Sequence, residues 1–175
     1  LVILAGLADS IGLPAIVVAA LSLATAALHL LRLSVWRGHA TAAEPLLAIL
    51  HVAYAWLPIG YLLLGLTALG LPLPRSAALH ALTMGGVGTM ILAVATRVAL
   101  GHTGRALVAA PLTIVAYGVL SAAVLIRILS PMVTGSYLAL IDAAAAGWII
   151  AFGLFLAVYW PILAQPRVNQ GDSNG

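Results

Sequence analysis

Between Pro14 and Leu163 the chain runs through five apolar stretches, each long enough to cross a bilayer, separated by short turns rich in helix breakers. A helix of about 20 apolar residues spans the hydrocarbon core. Only helices and closed barrels satisfy their backbone groups there, and runs this long are helical. The pattern predicts an all-α, polytopic transmembrane bundle of five full spanning helices, preceded by an N-terminal helix stump. Composition closes off a soluble alternative: 64% of the 175 residues are hydrophobic and 6% are charged, too few to cover a water-exposed surface.

The spacing of breakers predicts helices over Pro14–Leu33, Pro45–Leu69, Ser76–Leu100, Ala106–Leu129 and Ser136–Leu163. Gly70-Leu71-Pro72-Leu73-Pro74, Gly101 with Gly104, and Pro131 with Gly135 mark turns. Three regions follow: residues 1–13 as the stump of a preceding helix with an outer loop, 14–164 as the bundle, and 165–175 as a polar cytoplasmic tail. The first eight residues are too short to span and carry no basic leader, so they read as the end of a helix in a longer protein rather than as a signal peptide.

Arginine placement sets the orientation. Arg32, Arg37, Arg97, Arg105 and Arg167 fall at one end of the bundle, against Arg75 and Arg127 at the other. The arginine-rich end and the C-terminus are therefore expected in the cytoplasm, with Trp36, Tyr159 and Trp160 in the interfacial aromatic belt. A net charge of +3 spread over loops implies no nucleic-acid partner, and the lack of cysteine excludes disulfides and thiolate metal sites.

Polar residues inside apolar helices are costly and so point to function. In the first span Ser22, Thr25, His29, Arg32 and Trp36 form one stripe. In the second, Glu44, His51 and Pro58 are nearly eclipsed, flanked by Tyr54 and Tyr61. His29 and His51 lie at similar depth and could together supply two axial ligands of a haem or two ligands of a copper ion, or could each be a packing histidine held by a neighbour. The third span places His80 and Met84 on one face, an imidazole and a thioether suited to Cu(I) or haem, beside Gly85, Gly86 and Gly88. The first use of such a glycine patch is close helix packing, with passage of a small ligand as the lesser reading. Arg97, His102 and Arg105 form a donor-rich group at the end of that span, suited to an anion such as a haem propionate or a phospholipid headgroup, with Arg32 and Arg37 as further members. Arg127 and Asp142 are expected to pair across the fourth turn.

The segments HALTMGGVGTM and ATRVALGHTGR, with the spacing between them, resemble the NnrS family of bacterial membrane proteins linked to the nitric oxide response. HVAYAWLPIGYLLL and the closing YWPILAQPR extend the resemblance over effectively the whole chain, although Asn169-Gln170-Gly171-Asp172 departs from the family's more regular Asp-Gly-Arg ending. The resemblance implies a protein of about twelve helices, of which these five form the C-terminal half. It also implies haem and copper, and a place in the bacterial inner membrane with the lipid bilayer, the remaining N-terminal half and nitric oxide as partners. It assigns no ligands, so His29, His51, His80, Met84 and His102 are the metal candidates, with Arg97 and Arg105 as cofactor supports. Catalytic residues are not identifiable. No hydrolase or transferase motif is present, and any chemistry would be redox chemistry at the metal. Two other readings stay open: a transporter or channel whose pathway the polar stripes line, and a structural membrane subunit.

Overall fold

In the computed structural model, which describes residues 1–36 and 38–168 with His39 by its backbone alone, every regular element is helical. A short helix α1 (Val2–Ser10) leads into five spanning helices: α2 (Ala15–Val35), α3 (Pro45–Ala68), α4 (Arg75–His102), α5 (Pro111–Leu129) and α6 (Tyr137–Ala164). Arg37 and residues 169–175, which the sequence places among the cytoplasmic arginines and in the tail, lie outside the described residues.

Prolines set several helix starts. Pro45 and Pro111 occupy first-turn positions, where the missing N–H costs nothing and φ is already helical. The fourth span therefore begins at Pro111, not at Ala106. Ala110, just before the proline, is held extended at ψ 151, and residues 106–110 form a non-helical connection. At its far end α4 closes with Gly104 at φ 74; Arg105 N–H bonds to Leu100 O at 3.0 Å and Gly104 N–H to Gly101 O at 3.2 Å. That double bond pattern with a left-handed glycine satisfies two helix-end carbonyls, which is the structural use of the second glycine in Gly-His-Thr-Gly-Arg.

The helices pack as a row in which α3 and α4 are central, α2 lies outside α3, and α5 and α6 form a hairpin against α4. Leu92, Ala93, Tyr117, Leu120, Val124 and Tyr159 fill the main core, while Ala26, Tyr61, Leu64 and Ala78 fill a smaller one beneath α1. In lipid, helices associate through close contact and internal hydrogen bonds more than through the hydrophobic effect. Glycines supply the contact: a Cβ on Gly60 would stand 2.5 Å from Leu82, and one on Gly65 would stand 2.8 Å from Leu23.

Within α4, residues Ala81–Gly88 form wide π-helical turns with α-helix on both sides. Such turns concentrate at functional sites. Here Trp56 of α3 presses on Gly85, Leu57 stands beside Gly86, and Trp148 of α6 presses on Gly88. The glycine patch thus serves close helix packing.

Candidate functional site

Three intramembrane histidines share one hydrogen-bond arrangement. His80 Nδ1 lies 2.6 Å from the carbonyl oxygen of Ser76, and His51 Nδ1 lies 3.0 Å from that of Leu47. A carbonyl only accepts, so in both rings Nδ1 carries a proton, and in the neutral ring the lone pair is on Nε2. His29 Nδ1 lies 2.6 Å from the Tyr54 hydroxyl, which leaves its Nε2 outside that bond as well. A backbone or side-chain bond that fixes one ring nitrogen is how proteins present the other as a ligand.

The outer end of α4 offers the most complete donor set. His80, Thr83 and Met84 of α4, Arg127 of α5, and Ala144 and Trp148 of α6 line one hollow of about 560 Å³. His80 and Met84 approach it from the same side of one helix. Two donors so placed can bind one ion side by side. They cannot sit on opposite faces of a macrocycle, so the pair suits Cu(I) rather than the two axial positions of a haem. Among the described residues no group of three His, Asp or Glu side chains gathers, so this chain offers a metal here two donors, not a full tetrahedral set.

The His29–His51 pair takes a different form. Aromatic contacts link them: the Trp36 ring centroid is 6.0 Å from that of His51 and 4.5 Å from that of Tyr54, whose ring is 5.3 Å from His29. The two imidazoles therefore flank an aromatic row and do not face across an open space. The polar stripe of α2 faces α3, with Ser22 and Thr25 fully buried and the Arg32 guanidinium over the rings of Trp36 and Tyr54, 5.0 and 5.8 Å from their centroids. Cation–π contact with these rings is where Arg32 spends its charge.

The described arginines and His102 each have their own surroundings. Arg105 donates to Gln165 Oε1 at 2.7 Å, Arg97 lies in a separate hollow with Glu44, Arg32 is on the aromatic rings, and His102 is exposed. At the opposite end Arg127 donates to Ser130 Oγ at 3.2 Å and forms no ion pair with Asp142. The reason is rotational. Helix α6 packs through Ala144, Ala151 and Tyr159, and Asp142, two residues earlier, points about 200° away from that face. The ion pair that does form joins Arg75 to Asp9, tying α1 to the start of α4. No spacing in the sequence signals a partner 66 residues away.

One aromatic expectation also changes. Trp160 is exposed as a belt residue should be, but Tyr159 is buried, its hydroxyl 3.1 Å from Thr113 Oγ1. One turn deeper, the Tyr117 hydroxyl lies 2.5 Å from Thr96 Oγ1. Sequence reading passed over both pairs. Their signal was a threonine on one helix and a tyrosine on another, too common a combination to single out.

Five apolar spans, polar groups turned inward, and a soft donor pair over wide helical turns define a polytopic α-helical membrane protein with a candidate metal-binding hollow. The family model described as "NnrS protein" matches residues 1–167, and the chain belongs to that family. No curated protein and no solved structure matches it.

Proposed function

We propose that this protein acts in the bacterial nitric oxide response as a copper- and haem-binding protein of the inner membrane, with the arginine-rich end and C-terminus in the cytoplasm. Family membership supports the nitric oxide role. The observation that carries the metal assignment is the convergence of His80, with Nδ1 held by Ser76 and Nε2 free, and Met84 on one hollow. A soft copper(I) ion fits an imidazole and a thioether, and it supplies an open coordination position for a small ligand such as nitric oxide. Thr83, Trp148 and Arg127 line the same hollow and would surround an ion held there, Arg127 with a fixed positive charge.

Haem fits these residues less well. His29 and His51 are engaged in aromatic contacts with Tyr54 and Trp36, which a haem between them would have to displace.

Copper content and the oxidised and reduced absorption spectra of the purified protein test the proposal. The expected result is bound copper that falls several-fold in His80→Ala and in Met84→Leu, with nitric oxide altering the wild-type spectrum only. Wild-type protein that takes up neither copper nor haem would overturn it. The arginine bias supports the orientation, and single cysteines introduced near Thr41 and Val133 test it by reagent access from either side, since the chain has no thiol of its own.

A further inference from the structure

The furrow between α3 and α4 carries two hollows in helical register. The deeper one, of about 590 Å³, is lined by Ala53 and Leu57 of α3 and by Gly86, Met90, Val94 and Val98 of α4. Its wall is wholly apolar, and Val94 and Val98 open it to the membrane. The second, of about 470 Å³, holds Glu44, Leu46, Arg97, Val108 and Ile114 at the arginine-rich end. Arg97 is seven residues beyond Met90 on α4, and Ala53 is seven beyond Leu46 on α3. Two turns bring each pair back to one face, so the charged hollow lies in register above the apolar one, with residues 107–109 and Ile114 of α5 as its further wall. Arg97 lies five residues before the end of α4, about 7.5 Å from it, at the depth where headgroups meet hydrocarbon.

Two opposite charges share the upper hollow without pairing. Among the described residues Arg97 and Glu44 form no ion pair. Glu44 stands at the N-cap position of α3, yet its side chain caps nothing, so its carboxylate is not used by its own helix. A guanidinium recognises a phosphate, and a free carboxylate recognises an ammonium and repels a second anion.

We propose that this furrow is a specific site for one zwitterionic glycerophospholipid with a primary amine headgroup. The phosphate lies on Arg97, the ammonium on Glu44, and one acyl chain runs along Met90, Leu57 and Gly86. The site is separate from the His80–Met84 hollow and does not depend on metal.

Native mass spectrometry of the purified protein, exchanged into mixed micelles with equal phosphatidylethanolamine, phosphatidylcholine and phosphatidylglycerol, tests this. Wild type should retain one phosphatidylethanolamine, about tenfold over either other lipid, the ratio set by one charge-assisted contact. Glu44→Gln should abolish the preference over phosphatidylglycerol while phospholipid is still retained. Arg97→Gln should lose retention of all three. Val94→Trp fills the apolar hollow from a lipid-exposed position, and should lose retention with an unchanged melting temperature. Equal retention of the three lipids by wild type, or a headgroup preference that survives Glu44→Gln, would overturn the proposal.

Discussion

Val168 donates its backbone amide to the carbonyl oxygen of Thr103 at 2.9 Å, so the last described residue is fastened to the turn that ends α4. Arg105 reinforces the strap from the other side through Gln165. Gly104 makes the approach possible: its φ is 74, and a Cβ there would run into the Val168 carbonyl oxygen. Gly104→Ala should cost about 1–2 kcal/mol from the left-handed backbone alone and release the strap. Amide hydrogen exchange at Val168 should then be at least tenfold faster, with α4 itself unaffected.

The Thr96–Tyr117 bond joins α4 to α5 with both residues buried. Tyr117→Phe leaves the threonine hydroxyl without this partner, and Thr96→Val does the same to the phenol. Each should destabilise the protein by about 1–3 kcal/mol, while the double variant should cost less than the sum. Thermal unfolding in detergent across the four proteins measures the coupling, and strict additivity would contradict the bond.

Trp148 occupies the space that a side chain on Gly88 would need. Gly88→Ala should therefore overpack the α4–α6 contact and cost about 1–3 kcal/mol. Combining it with Trp148→Leu should recover much of that loss. A melting-temperature series decides, since a loss unrelated to the indole would not be recovered.

Copper uptake separates the two histidine groups. His29→Ala and His51→Ala should leave copper bound at the His80–Met84 hollow unchanged, because Trp36 and Tyr54 keep that pair in its own row at the other end of the bundle. An equal loss of copper in all four alanine and leucine variants would instead mean one shared site.

The Arg75–Asp9 pair is part-exposed, with Arg75 52% and Asp9 16% accessible. Asp9→Asn should cost no more than about 1 kcal/mol of global stability, an effect that salt reduces. Its visible consequence should be local, a faster cleavage between Ser10 and Pro14 in limited proteolysis.

Much of this architecture was legible in the sequence because one physical requirement dominates it. A bilayer forces apolar length, and apolar length together with Pro45, Gly70 and Gly104 located every span to within a few residues apart from the start of α5. There, hydrophobicity continued through residues 106–110 and masked the boundary that Pro111 imposes. The site was less legible. Stripe arguments put Ser22, Thr25 and His29 correctly on one inward face, since rotation along one helix is fixed by geometry. They could not say what stood opposite. Trp36 and Tyr54 linking His29 to His51, Asp9 reaching Arg75 and Tyr117 reaching Thr96 depend on how separate helices settle against one another, which a single sequence does not encode as a spacing.

The wide turns of Ala81–Gly88 make chain length itself a design variable. They accommodate surplus residue within a helix that is otherwise regular on both sides. Deleting one residue there should let the segment wind as ordinary α-helix and leave the faces on either side close to where they stand. The same deletion in the regular winding just after Thr89 has nothing to absorb it, and would rotate everything beyond by about 100°. Arg97 would then leave its furrow, Thr96 would turn from Tyr117, and the closing strap would lose its anchor, although no residue carrying any of those contacts had been changed. A single-residue deletion in α4 should therefore be far milder within Ala81–Gly88 than just beyond it.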